Sequence, residues 1–206
     1  STANMMARLR MLKPGAFPSL RYSLFCGEAL SAKSAAMWQD AAPNSVVENL
    51  YGPTEATITI IGYRWDRNRS EKECINGMVP IGKPFPNHLA EVISTCGQIA
   101  SVNEEGELCL CGPQVSDGYF NDARKTDECF VTLPDVNGGR WYKTGDLAKK
   151  DENGVIHYLG RLDNQVQVRG HRVELQEVEY AISRLLDTGS AICIPWPIVD
   201  GVASNI

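Results

Sequence analysis

The sequence has no apolar run long enough to cross a bilayer and no basic-then-apolar leader, so neither membrane insertion nor secretion is expected. It has no basic surplus. Lys and Arg number 20 against 25 Asp and Glu, the formal charge is −5, and the two signs are interspersed. That gives no electrostatic footprint for nucleic acid. Disulfide-framework spacing is also missing. The cysteines number seven, an odd count, and are scattered through apolar surroundings, which points to reduced thiols and a cytoplasmic protein. Cys109 and Cys111 would share one strand face, but no second Cys/His pair at ligand spacing accompanies them, so they read as packing residues. No internal repeat or low-complexity tract appears, and Asn68-Arg69-Ser70 is a chance match to the glycosylation pattern.

What is present is an ordinary globular composition, 43% hydrophobic and 22% charged over 206 residues, enough for one compact domain or two small ones. Texture changes along the chain. Leu20–Cys26 reads as a strand entering a turn at Gly27. Ser31 then caps a helix carrying Ala35, Ala36, Met37 and Trp38, Pro43-Asn44 stops it, and Val46-Val47 resumes as a strand. Strand, helix and strand with short connections predict a parallel unit. From about Gly62 to Gly160, short β-type runs alternate with Gly, Pro and Asn, among them His88–Ile93, Gly106–Cys111 and Val155–Leu159, with a hairpin turn at Asp151–Gly154. The last part reads as a hairpin turning at Arg169-Gly170-His171. A helix follows with Val178, Ala181, Ile182 and Leu185 on one face, then a strand over Ser190–Ile194 and a hairpin turn at Val199-Asp200-Gly201 awaiting its return strand. The expected fold class is α/β with a β-rich part. Residues 1–62 would be the end of a parallel-sheet α/β subdomain, 63–162 a small antiparallel β subdomain, and 163–206 the start of a mobile α+β domain.

Asn49-Leu50-Tyr51-Gly52-Pro53-Thr54-Glu55 joins an aromatic ring, a tight turn, a hydroxyl and a carboxylate just beyond a strand, where α/β sheets bind ligands. A ring can stack a base, a hydroxyl can donate to phosphate, and a carboxylate can hold Mg²⁺. Gly77–Pro84 nearly matches the phosphate-binding loop G-x-x-x-x-G-K-S/T. Pro84 replaces the needed hydroxyl and Pro80 removes a backbone donor, so it reads as a structural linker. In Trp141–Leu147, Asp146 stands beside a Gly turn, where it could hold ribose hydroxyls or simply cap the turn. Arg161 offers a fork of donors to phosphate or ribose oxygens, or to a surface ion pair.

Those motifs occur in order with Gly160–Gln165, Arg169–Glu174 and, between them, Gly106-Glu107-Leu108 and Val115–Asn121. Together they closely resemble the adenylate-forming (AMP-binding) superfamily, and specifically amino-acid adenylation domains of nonribosomal peptide synthetases and D-alanine–carrier-protein ligases. The resemblance implies an acid–thiol ligase. It would join a carboxylate to ATP, release pyrophosphate, and pass the acyl group from AMP to a phosphopantetheine thiol on a carrier protein or domain. It implies that Asn49 meets the adenine amino group, Tyr51 stacks on the ring, Thr54 touches the α-phosphate and Glu55 holds Mg²⁺. Asp146 would bind the ribose with Tyr158 nearby and Arg161 on ribose or phosphate. Gly27 and Glu28 would line the nucleotide pocket, and Leu24, Cys26, Leu50, Ile58 and Thr59 the acyl pocket. Asp163 would be the hinge, and Gly170 would approach the site in the transfer state. Pro53 is more typical of the amino-acid activators of the superfamily, and Leu50 with Cys26 lean towards a small apolar amino acid.

The sequence departs from the family at two places. Nothing matches the phosphate loop with its Lys, nor the C-terminal catalytic Lys, so an internal fragment, inactive by itself, is expected. An acyl-CoA or aryl-acid ligase of the same superfamily, or a non-catalytic nucleotide-binding or carrier-docking module, stays open as an alternative.

Overall fold

The computed structural model describes residues 2–133, 136, 139–163, 165–168, 171–186, 191–199 and 202–206. After a short helix, α1 (Thr2–Arg8), the chain forms β1 (Tyr22–Phe25), α2 (Ala32–Ala41) and β2 (Val46–Tyr51). β1 and β2 are parallel. Ser31 caps α2 as expected, its side chain accepting from the Ser34 N–H. Trp38 fixes the helix on the sheet: its indole N–H donates to Ser23 Oγ at 2.7 Å and its ring meets Phe25 edge-on at 4.9 Å. Asn49, Leu50 and Tyr51 are the last residues of β2 itself, so the motif begins inside the strand rather than beyond it.

The first sheet continues past the change of texture at Gly62. β3 (Ile61–Arg64) pairs antiparallel with β2, and after a turn of helix, α3 (Ser70–Glu73), β4 (Lys83–Pro84) pairs with β3, giving the order β1-β2-β3-β4. Gly82 has φ +98°, and a Cβ there would lie 2.0 Å from Gly62 O, so the Gly77–Pro84 segment packs directly on β3. It lies on a sheet edge as a linker, as read.

The second sheet is antiparallel, built from β5 (Leu89–Ile93), β6 (Glu105–Cys111), β7 (Phe130–Thr132), β8 (Arg140–Lys150) and β9 (Ile156–Arg161). α4 (Ala123–Cys129) leads into β7, Asp122 capping it by accepting from the Lys125 N–H. The order is β5-β6-β8-β7, and β9 also pairs with β8, over residues 146–150, beyond the stretch 140–142 that β7 takes. The β8–β9 turn forms at Asp151–Gly154, where Asp151 Oδ1 accepts from the N–H groups of Asn153 and Val155 at 2.9 and 2.8 Å. One core joins the two sheets: Ala56, Ile60, Ile61 and Ile81 pack with Val92, Leu108, Leu110 and Ile156, and Tyr51 lies against them. Cys109 and Cys111 are buried in a neighbouring cluster with Ile93 and Trp141. Burial pushes the Cys109 thiol up to about 12, and no metal-binding group of His, Cys, Asp or Glu occurs among the described residues.

The last part contains β10 (Gln165–Val168), β11 (His171–Glu174), α5 (Leu175–Leu186), β12 (Trp196–Val199) and β13 (Val202–Asn205), in the sheet order β11-β10-β13-β12. Three expectations change here. Residues 191–195 are irregular, and the strand begins instead at Trp196. The hairpin is closed, because β13 is the return strand to β12. On α5, Val178 and Ile182 are half-buried, but Ala181 and Leu185 are exposed, because no described element covers that side of the helix. Gly170 and the turn residues Arg169, Asp200 and Gly201 lie outside the described residues. No described helix is long and apolar enough to cross a membrane.

Candidate nucleotide-binding site

Asp146 is the centre of the constellation. It does not follow a turn, as expected. It sits in the middle of β8, which runs through it with a bulge. Against β6, Glu107 faces Leu147 while Cys109 already faces Lys143, so Thr144-Gly145-Asp146 is the looped-out stretch. Thr144 Oγ donates to Leu108 O at 2.7 Å and accepts from the Asp146 N–H at 3.0 Å. The Gly145 N–H donates to Glu107 Oε1 at 3.0 Å, and Gly145 adopts φ +69°. Such bulges re-aim side chains, and here the bulge places Asp146 opposite Arg161 of β9. A Cβ at Gly145 would lie 2.7 Å from Arg161 Nη2 and 3.1 Å from Asp163 Oδ2, so a side chain there would press on the Arg161–Asp163 fork as well as strain the backbone.

Side chains from β2 and β9 converge on Asp146, which is 7% exposed. The Tyr51 hydroxyl, from the end of β2, donates to Oδ2, and Arg161 Nη1 donates to Oδ1 at 2.8 Å. Arg161 Nη1 also donates to Thr144 O at 2.8 Å, while its Nε and Nη2 form a fork with Asp163 at 2.9 and 2.5 Å. Most of the guanidinium's donors are therefore committed to fixing two carboxylates. Burial, then the Asp146 charge, raises the Tyr51 phenol well above its ordinary value, so Tyr51 stays a neutral donor. The same two causes push Tyr158 up to about 12.

Asn49 is 3% exposed, and its side-chain N–H₂ donates to Val79 O and Pro80 O at 3.3 and 2.9 Å. With the donors held by the linker, the face Asn49 offers a ligand is its carbonyl oxygen, an acceptor. This fits a base carrying an exocyclic amino group. Beyond β2, Thr54–Ala56 forms a turn of 3-10 helix in which Thr54 is exposed and Glu55 is half-buried, accepting from the Tyr119 hydroxyl at 2.6 Å. Gly27, with φ +90°, and Glu28 follow the end of the neighbouring strand β1.

The five expected acyl-pocket residues are placed unevenly. Leu24 is exposed and shares with half-buried Leu50 the sheet face turned away from α2. Cys26 lies just after β1 and its thiol donates to Ile58 O at 3.6 Å. Ile58 is 72% exposed and Thr59 is half-buried beside it. Asp163, between β9 and β10, holds Arg161 and accepts from the Gln165 N–H at 3.0 Å. Glu107, Tyr119 and Thr144 stand in motifs of the sequence without a role assigned to them, and Gln114 stands in none. Their roles come from pairing across the bulge and between loops, and no local spacing signals either.

Residues 1–120 match the family model of AMP-binding enzymes, and the chain belongs to that family. It is 37% identical over 191 residues to tyrocidine synthase 3 of Brevibacillus parabrevis, covering 93% of this chain and 3% of that protein. It is 36% identical over 179 residues to the D-alanine–D-alanyl carrier protein ligase of Lacticaseibacillus casei, covering 87% of this chain and 34% of the ligase. The fold matches the crystal structure of the Vibrio cholerae adenylation domain AlmE in complex with glycyl-adenosine-5'-phosphate. That match has a TM-score of 0.86 at 36% identity and covers 98% of this chain and 38% of that one. PA1221, a nonribosomal peptide synthetase protein containing adenylation and carrier (PCP) domains, matches with a TM-score of 0.78 at 32% identity over 88% of this chain and 36% of that one. The chain thus spans about a third, or far less, of the relatives' lengths.

Proposed function

We propose that this chain supplies the adenosine-binding face, and one wall of the carboxylate pocket, of an ATP-dependent ligase that adenylates an amino acid. The observation that carries this reading is the convergence of Tyr51, Asp146 and Arg161 from two sheets, with Asn49 on the strand of Tyr51 and its amide donors engaged by the Val79 and Pro80 carbonyls. The relatives supply the reaction class: a carrier protein ligase for D-alanine and an adenylation domain holding glycyl-adenosine phosphate. In such a reaction a carboxylate oxygen attacks the α-phosphorus of ATP and the bond to pyrophosphate breaks. A carrier's phosphopantetheine thiol then attacks the acyl carbon and AMP leaves.

Each residue's part follows from its chemistry. Asn49 Oδ1 accepts from the adenine amino group, and Tyr51 presents its ring to the base. Asp146, with roughly four acceptor positions on its carboxylate, accepts the ribose hydroxyls beside its bonds to Tyr51 and Arg161. Arg161 keeps that carboxylate aimed. Thr54 donates to the α-phosphate. Glu55 would hold Mg²⁺, which when bound neutralises phosphate charge; one carboxylate with substrate oxygens and water is a usual Mg²⁺ set. The bond from Tyr119 fits this role, because it orients Glu55 without consuming its charge.

ATP–pyrophosphate exchange with the full-length gene product tests the reading, across glycine, D- and L-alanine, larger amino acids, aryl acids and fatty acids. Exchange with an amino acid is expected. Exchange only with fatty or aryl acids would place it in another branch of the family. Nucleotide binding with no exchange would make it a non-catalytic module.

A further inference from the structure

The connection after β6 folds over the loop after β2 and fastens it. Ser116 N–H donates to Glu55 O at 2.8 Å, Tyr119 holds the Glu55 side chain, and Thr57 Oγ donates to Gln114 O at 2.8 Å. Gln114 Nε2 donates to both Thr57 O and Thr59 O, each at 3.1 Å. Between those two carbonyls lies Ile58, at φ +73°, following Thr57 at φ +51°. The Thr59 N–H reaches back to Thr57 O at 2.9 Å. This closes a three-residue γ-turn in its rare positive-φ form, centred on a β-branched residue. Backbone of this kind persists only where its surroundings over-determine it, and it gathers at ligand sites.

The surroundings here are specific. Below the turn is Gly52, where a Cβ would lie 2.7 Å from Thr59 Cα. On the β1 side the Cys26 thiol holds Ile58 O. On the opposite side Gln114 holds the carbonyls before and after it. The strained turn leaves the Ile58 side chain 72% exposed, on the loop that carries the proposed carboxylate pocket.

We propose that Gln114 is a positioning residue that holds the Thr57–Thr59 turn in shape and thereby sets which carboxylate the pocket accepts. The carboxylate half rests on the proposed adenylation; the clamp half rests on the turn alone. Gln114 itself need not touch the substrate. Its amide donors act through backbone carbonyls, so a side chain of similar length without donors separates clamping from packing.

Gln114→Met in the full-length protein is the test, with two readouts. The first is exchange kinetics with the best amino acid of the panel above and with its one-methylene neighbour. The KM for the amino acid should rise about tenfold and discrimination between the two should fall by a similar factor, the scale on which one methylene is told apart. The KM for ATP should stay within about twofold. Parallel rises in both KM values, or no change in either, overturn the proposal. The second readout is thermal stability in a cycle with Ile58→Gly, which accepts φ +73° without strain. Gln114→Met should lower Tm clearly in the parent and much less beside Ile58→Gly. Equal losses, including loss of folding in both backgrounds, overturn the clamp. A parent enzyme that exchanges with no carboxylate refutes the proposed function and the specificity half with it, while the cycle still decides the clamp.

Discussion

Asp146 concentrates several demands on a single carboxylate. It is nearly buried, and Arg161 and Tyr51 both donate to it. Hydrogen bonds to a charged group are worth roughly 1.5–3 kcal/mol. Asp146→Ala in the full-length protein should therefore raise the KM for ATP by one to two orders of magnitude in pyrophosphate exchange, and an unchanged KM would remove Asp146 from the site. Gly52 makes a different residue-scale case. Its φ is not what demands glycine. A Cβ there would press into the backbone of Ile58 and Thr59, at 2.9 and 2.7 Å, with no flexible side chain to give way. Gly52→Ala should cost about 1–3 kcal/mol, as overpacking usually does, read as a lowered Tm in thermal unfolding. A neutral result would mean that the turn moves freely away from Gly52.

At the scale of elements, the parallel unit, the meander of short strands and the final hairpins could be read from periodicity and turn residues. Ser31, Pro43-Asn44 and Asp151–Gly154 act locally, so the sequence shows them directly. The bulge at Thr144–Asp146 could not be read this way. It is defined by what β6 places opposite it, and Gly145 in a strand looks the same as Gly145 in a turn. The α5 face was only half legible for a similar reason: its stripe is real, but the described residues cover Val178 and Ile182 and leave Leu185 exposed. Asp163 is the element-scale joint that the family resemblance proposes. It lies in the short connection from β9 to β10 and is forked onto Arg161, so any rotation there must release that fork and the Gln165 N–H. A hinge concentrates dihedral change in a few residues, and proline fixes φ near −65°. Asp163→Pro should impair carrier loading far more than adenylate formation, the two measured separately. Asp163→Ala removes the same fork but leaves φ free, and should spare loading. Equal losses in both half-reactions from the proline variant would argue for damage to the fold instead.

For the molecule as a whole, what binds the first two sheets together is their shared apolar core, and the titratable groups in and around the apolar clusters share one property. Tyr51 lies against that core, Tyr158 packs beside it, Tyr63 lies in the α2 core, and Cys109 lies in the adjoining cluster. Burial is the leading cause for each, raising Tyr63 and Tyr158 to about 12 from 10.0, Cys109 to about 12 from 9.0, and Tyr51 well above 10.0. The unfolded chain therefore releases these protons first. Between the ordinary values and about 12 the folded state binds more protons than the unfolded one, and stability must fall as pH rises. Their contribution is intact below pH 9 and is lost progressively from there to about 12. Asp146 adds to this, because ionising Tyr51 or Tyr158 would place a second negative charge beside it. The expected outcome is a Tm that declines steeply above pH 9. Most of the tyrosinate absorbance of the buried phenols should appear together with the loss of near-ultraviolet circular dichroism. If those phenols ionise smoothly while the chain stays folded, the sites around Tyr51 and Tyr158 are open to water, and the burial that leads both shifts is refuted.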